Sequence, residues 1–276
     1  MYGYGNSMFL ATHGILARSA SGGGVDPDAQ AFITAAAITN PTQQAAINTL
    51  VVDLKGYNIW TKMKALYPFV GGTASTHKFN LKNPLDTDAA FRLVFSGGWT
   101  HSSNGILGNQ INSEFDTKLI PSSVQSINNK HLAVYSRTNT AAGTEFCALT
   151  GGTSYPGDIL IIREAAIGTN TSFYAFNEAF PNSIVSTTTD SKGLFISTRT
   201  GATSKKLYRN GSVIGTATTS SNTQPNASLK FGSFAGSYWT NKGYAFASIG
   251  DGLSDTEAAN FYTAVQTFNT ALARQV

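Results

Sequence analysis

Glu114 and Asp116, in Glu114-Phe115-Asp116-Thr117-Lys118-Leu119, are the residues best spaced to cut a sugar chain. Residues two apart on a strand share a face, and two carboxylates flanking a glycosidic bond are the machinery of glycoside hydrolysis. Lys118 stands where a third carboxylate of such a row would fall. An ammonium beside a carboxylate favours the charged form over the proton-donating acid, so the expected reading is a solvated polar strand face. Other reactive constellations are missing from the sequence. No serine sits in Gly-x-Ser-x-Gly, and His13, His77, His101 and His131 lack metal-ligand spacing. Gly22-Gly23-Gly24 is not followed by Lys-Ser/Thr, so it is no phosphate loop. Asp86 and Asp88 fit a solvated turn better than an ion site, and nothing like an EF-hand is present. The chain is expected to be no enzyme and to need no metal or cofactor.

Sugar binding asks for less: an exposed ring and planar amide or hydroxyl partners. Two loops have that composition. One offers Trp99, His101 and Asn104 after Gly97-Gly98; the other offers Tyr238, Trp239 and Asn241. A tryptophan is more often part of a core than a platform, and that alternative stays open for both loops. His131 alternates with apolar residues in His-Leu-Ala-Val-Tyr and is expected to face solvent at a strand start.

The elements that must position these loops are short and β-rich. Candidate strands lie at 77–82, 91–96, 106–109, 114–120, 131–137, 144–149, 158–164, 172–175, 184–188, 193–198, 205–209, 213–218, 229–234 and 244–249, separated by Gly, Ser, Asn and Pro turns. Short strands in even succession without helical crossovers indicate an antiparallel β-sandwich. The closing stretch 205–268 is the most explicit. Asn210-Gly211 marks a hairpin turn, because both central residues of a type I′ turn need positive φ. Ser254-Asp-Thr-Glu257 is a capping box, and Phe261, Val265, Phe268 and Leu272 follow at helical spacing.

This order of hairpin, strand, strand and terminal helix resembles laminin-G-like domains of the concanavalin A-like jelly-roll class. The resemblance implies a mainly β jelly-roll sandwich over residues 71–276, closed by a C-terminal helix. The class includes β-glucan hydrolases with a Glu-x-Asp-x-Glu pattern, from which this chain departs at Lys118.

Two further regions precede the sandwich. Residues 26–70 read as a helical segment. Asp26-Pro27 and Asn40-Pro41 are helix starts. Ile47, Leu50, Val51 and Leu54 form one apolar face, and Ile59, Trp60, Met63, Leu66 and Tyr67 form the face of a further helix stopped by Pro68. These helices either join an anchor to the sandwich, make an oligomer contact, or cover one face of the jelly roll. Residues 1–25 read as an extended arm. Glycines interrupt it, leaving Tyr2, Tyr4, Met8, Phe9, Leu10, Ile15 and Leu16 as apolar anchoring points. Such an arm buries little surface alone, so it is expected to dock on a neighbouring subunit or another protein, or back on its own domain.

The segment from Thr42-Gln-Gln-Ala-Ala-Ile-Asn through Ile59-Trp-Thr-Lys-Met-Lys-Ala-Leu-Tyr-Pro to Ala74-Ser-Thr-His-Lys-Phe-Asn resembles a module of virion structural proteins in tailed bacteriophages, especially those infecting Bacteroidetes. The resemblance implies a virion component: a head fibre, capsid decoration protein or tail appendage. Its partners would be other virion proteins, it could bind a host-surface glycan, and a homotrimer is expected by analogy. Composition agrees with exposure to a harsh medium. Charged residues make up 12 % of the chain, about half the usual share of roughly 25 %. The net charge is +4 without a basic run, which gives nucleic-acid binding no footing. The single cysteine, Cys147, excludes an internal disulfide and reads as a buried thiol. No apolar run reaches the ~18 residues of a membrane span, and the N-terminus lacks the features of a signal peptide. A free carbohydrate-binding protein and a polysaccharide depolymerase are the competing readings.

Overall fold

The computed structural model describes residues 24–150, 154–163, 171–178, 183–221 and 223–276. The arm candidates Tyr2, Tyr4, Met8, Phe9, Leu10, Ile15 and Leu16 lie outside the described residues.

Among the described residues, fifteen strands form two antiparallel sheets. The first has eight strands. Its path runs β13 (Ser212–Ala217), β12 (Ser204–Arg209), β11 (Gly193–Gly201), β6 (Lys130–Ser136), β15 (Gly243–Gly250), β4 (Gly105–Leu107) and β3 (Thr100–Ser102). Strand β1 (Met63–Tyr67) also pairs with β15. The second sheet runs β10 (Ile184–Thr187), β9 (Thr171–Glu178), β8 (Ser154–Ile162), β7 (Phe146–Thr150), β14 (Lys230–Phe231), β5 (Glu114–Asp116) and β2 (Val94–Ser96).

Alternation along each strand assigns its faces. Leu132 and Val134 of β6, Phe195 of β11 and Ile249 of β15 point between the sheets, where they meet Phe115, Phe146, Leu160 and Phe231. Phe231 is the centre of this core. It stacks flat on Phe115 at 4.6 Å and meets the edges of Phe146 and Tyr244 at 4.9 and 4.7 Å. The opposite face of the eight-stranded sheet is equally dry. Ala133, Tyr135, Leu194, Ile196 and Phe246 lie under three helices, α1 (Pro27–Ala35), α2 (Pro41–Gly56) and α5 (Asp255–Ala271). A register shift between Tyr244 and Phe246 changes the phase of β15, so Tyr244 faces the inter-sheet core while Ala245 and Phe246 face the helices. The N-terminal helices thus cover one face of the sandwich, the third of the roles open to them.

The local signals at the C-terminal end hold. Asn210 and Gly211 take φ of 49° and 77°. Ser254 and Glu257 form both bonds of the capping box. Leu272 is the C-cap of α5, just beyond its last residue. Cys147 is buried.

Four expectations need correction. The apolar residues 59–67 form no long helix. Trp60–Lys62 makes a single 3-10 turn and Met63–Tyr67 is strand β1, because β15 offers it a ladder whose backbone groups need partners. The expected strand at 77–82 is replaced by the short helix α3 (Ala74–His77), capped by Thr73. Buried Asn80 follows, accepting from Leu66 N–H and donating to Ala90 O. The strand expected at 114–120 ends at Asp116, where Lys118 turns to φ 59°. The strand expected at 229–234 is only Lys230–Phe231.

Replacing Phe231 with alanine empties the meeting point of the inter-sheet rings and should cost about 3–5 kcal/mol. Ser254→Ala removes one cap bond and should cost about 1 kcal/mol. Denaturant unfolding of the two variants should give that order; equal losses would contradict the packing described.

Candidate functional site

Of the two loops singled out in the sequence, 238–242 lies at one rim of the sandwich and the other reaches it only with Gly97-Gly98, and a third loop joins them. That third loop is the turn 109–113. Asn109 Oδ1 accepts from the N–H groups of Ile111, Asn112 and Ser113 at 2.9, 3.1 and 3.2 Å. The turn is thereby closed by its own side chain, and it lifts Ile111 to 69 % exposure at its tip.

On one side the turn meets Gly97-Gly98. Gly98 N–H donates to Asn112 Oδ1 at 3.0 Å. A Cβ on Gly97, whose φ is +71°, would fall 1.9 Å from Asn112 O, so only glycine fits there. On the other side it meets 238–242. Gln110 N–H and Ser113 Oγ–H donate to Thr240 O at 2.9 and 3.3 Å, and Asn241 Nδ2–H donates to Gln110 Oε1 at 2.8 Å. The segment 138–144 completes the rim. Thr140 Oγ1–H donates to Asn241 Oδ1 at 2.8 Å, and Thr144 N–H donates to Tyr238 O at 3.2 Å. Tyr238 stands 53 % exposed at φ +52°, edge-on to Phe234.

A buried polar network holds the rim from below. Glu145 Oε1 accepts from Lys242 Nζ at 2.9 Å and from Tyr244 O–H at 2.8 Å, while Oε2 accepts from Ile162 N–H at 2.6 Å. Burial pushes the Glu145 carboxyl up from its ordinary value, against the opposite pull of Lys242.

The six glycan candidates therefore separate. Tyr238, Trp239 and Asn241 share the rim; Trp239 is half-buried there. Trp99 serves the core. Its Nε1–H donates to Glu114 O at 3.0 Å and its ring lies against Phe115 and Phe231. His101 turns inward, its Nδ1 3.0 Å from His77 Nδ1 and its ring edge-on to Phe95. Asn104 lies at the far end of the β3–β4 hairpin, where its carbonyl accepts from Arg137. Gln110, Ile111 and Asn112 were not singled out; the amide-rich run Asn109-Gln-Ile-Asn-Ser was the available signal.

The remaining polar candidates are engaged in the fold. Glu114 pairs with Lys230 at 2.7 Å and also accepts from Ser233. Asp116 pairs with Lys118 at 3.3 Å. Asp86 pairs with Lys78 and Arg92, and Asp88 with Arg92. Among the described residues, no three His, Cys, Asp or Glu side chains gather to hold a metal. His131 does not face solvent as its alternation suggested. The helical layer covers that side of β6, and His131 lies fully buried between Asp251 O at 2.6 Å and Ser248 Oγ at 3.0 Å.

Neither a protein family nor a curated protein matches the chain. Among the solved structures similar in fold are two of botulinum neurotoxins. One is botulinum neurotoxin type C, described with the dependence of its cell entry on two ganglioside molecules, at TM-score 0.51, 13 % identity, 76 % of this chain and 52 % of that one. The other is the binding domain of botulinum neurotoxin DC in complex with rat synaptotagmin II, at TM-score 0.50, 11 % identity, 75 % of this chain and 53 % of that one. The chain spans about half the length of these structures. At such identities the likeness is one of fold: an antiparallel β-sandwich.

The buried histidines make stability pH-dependent. Burial, with His101 and Arg274 adding to it, pushes His77 down to about 3. Burial pushes His131 to about 4 and lowers His101. Below the unfolded value of 6.5 the unfolded chain takes up protons that the folded histidines refuse. The urea midpoint should therefore be level from about pH 7 to 8 and fall from about pH 6.5 to 5, above the range where carboxylates titrate. A level midpoint down to pH 5 would contradict these placements.

Proposed function

We propose that this chain is a non-enzymatic adhesion protein that grips a host-surface glycan at the rim formed by 109–113, 138–144 and 238–242. The observation that carries this reading is the interlocked rim itself. It holds Tyr238 and Ile111 outward above a row of planar amides, Gln110, Asn112 and Asn241. A ring offers a flat apolar face to the C–H side of a sugar, and amides both donate and accept towards hydroxyls. Loops tied to one another lose little freedom when a ligand arrives. The ganglioside dependence of botulinum neurotoxin type C belongs to that toxin; it supports a glycan reading here by fold analogy alone.

In the same reading the chain is carried on a bacteriophage particle, with residues 1–25 as its attachment to other virion proteins and a homotrimer as its assembly. The segment 41–84 and the low share of charged residues support this. A free carbohydrate-binding protein would use the same rim without a particle. A polysaccharide depolymerase has less behind it, because Glu114 and Asp116 are both held by lysines.

Purified protein on an array of bacterial surface polysaccharides should bind a subset. Tyr238→Ala should weaken that binding about tenfold, roughly 1.4 kcal/mol, with an unchanged circular dichroism spectrum. A chain lacking residues 1–23 should bind sugar as before and fail to join particles. Wild-type protein that binds no polysaccharide would sink the glycan reading.

A further inference from the structure

The amides of the rim are not free to face either way. Asn109 Oδ1 accepts from three backbone N–H groups, those of Ile111, Asn112 and Ser113. A backbone N–H can only donate, so it identifies the oxygen end of the amide it meets. Asn109 Nδ2 is then the other end, and it donates to Asn112 Oδ1 at 2.9 Å. Gly98 N–H donates to the same oxygen at 3.0 Å. Asn112 therefore spends its oxygen within the rim and keeps its Nδ2 free. The far side of the rim repeats this order. Thr140 Oγ1–H donates to Asn241 Oδ1, Asn241 Nδ2–H donates to Gln110 Oε1, and the row ends on Gln110 Nε2.

Gln110 and Asn112 are both exposed. Among the described residues, neither Gln110 Nε2 nor Asn112 Nδ2 has a hydrogen-bond partner. Gln110 holds φ +62°, in the left-handed region that few side-chain-bearing residues adopt. Its N–H bond to Thr240 O at 2.9 Å keeps it there. Ile111 stands between these two residues, 69 % exposed at the tip of the turn. The turn thus carries two unpaired amide NH2 groups on the neighbours of one exposed aliphatic side chain, and the oxygens of both amides are already in use.

We infer that the rim selects an N-acetylated sugar, whose acetamido carbonyl accepts from Gln110 Nε2 and Asn112 Nδ2 and whose methyl rests on Ile111. A hydroxyl that accepts from such donors still has its own hydrogen to place, whereas a carbonyl oxygen brings two lone pairs and no hydrogen. A carboxylate would meet the donors and leave Ile111 in water. The acetamido methyl takes apolar surface of Ile111 out of water. Tyr238 keeps the face of the sugar ring. This inference rests on the glycan reading of the rim and names the group within the glycan that the rim recognises.

Calorimetric titration with two matched probe pairs tests it: triacetylchitotriose against cellotriose, and methyl N-acetylgalactosaminide against methyl galactoside. Within each pair an acetamido group replaces a hydroxyl. Wild-type protein should bind an N-acetylated member about tenfold more tightly than its partner, and the arrayed polysaccharides it binds should carry N-acetylated sugars. Gln110→Glu and Asn112→Asp keep the oxygens that Asn241, Asn109 and Gly98 use and replace each free NH2 with an oxygen. Together they should abolish the preference with an unchanged circular dichroism spectrum. Ile111→Ser, which alters no side-chain hydrogen bond of the rim, should lower the preference in part. Tyr238→Ala should weaken both members of a pair alike. Equal wild-type affinity within both pairs would overturn the proposal and leave the glycan reading standing, as would binding only to arrayed polysaccharides without N-acetylated sugars. A preference left intact by Ile111→Ser or by the Gln110→Glu, Asn112→Asp double variant would overturn it as well, as would tighter binding of trigalacturonic acid than of triacetylchitotriose. Wild-type protein that binds no probe and no arrayed polysaccharide would overturn both.

Discussion

The rim depends on one fully buried ion pair, Glu145 with Lys242. Glu145 directly precedes β7 of one sheet and Lys242 directly precedes β15 of the other, so the pair bridges the sandwich where the rim loops leave it. Burying two charges costs several kcal/mol for each ion, and the cost is met only when hydrogen bonds complete the set. Here they do. The carboxylate also accepts from Tyr244 and Ile162, and Lys242 also donates to Ala142 O at 2.6 Å. Thr240, joined to the Tyr244 hydroxyl at 2.6 Å, extends the network into the 238–242 loop. The loop that receives Gln110 and Gly143 is therefore set from beneath rather than free to choose its shape.

A second constraint explains the chemistry of the histidines. The helical layer dries the outer face of the eight-stranded sheet, so strand β6 is buried on both sides. A polar residue on such a strand must find its partners inside, as His131 does with Ser248 and Asp251 O. His77 and His101 meet the same condition with each other. Gly72 N–H donates to His77 Nε2 at 3.2 Å, so His77 carries its proton on Nδ1 and offers it to His101. Neither ring is left to greet a ligand.

The sequence was most legible where one residue type answers one backbone need. Asn210-Gly211 and the Ser254/Glu257 box were such places, and the alternation of apolar residues located most of the strands. It was least legible where the decision is made elsewhere in the chain. Residues 63–67 satisfy helical spacing and strand spacing alike, and only the open side of β15 decides between them. Trp99 and Tyr238 looked alike as loop aromatics. Gly232, into whose space the Trp99 ring fits, turns one inward, while the positive φ of Tyr238 holds the other out. The fold shared with toxin binding domains supplies architecture, and function has to be argued from the side chains set on it.

In the proposed function, ligand binds at the loop rim and not on the outer face of the seven-stranded sheet. That face has its own small cavity beside Glu114, Cys147 and Lys230. Amide chemical-shift mapping of the isotope-labelled protein during titration with a bound oligosaccharide distinguishes the two most directly. Binding at the rim predicts shifts concentrated at 109–113, 138–144 and 238–242. Shifts concentrated around Glu114, Cys147 and Lys230, with the rim unmoved, would contradict it.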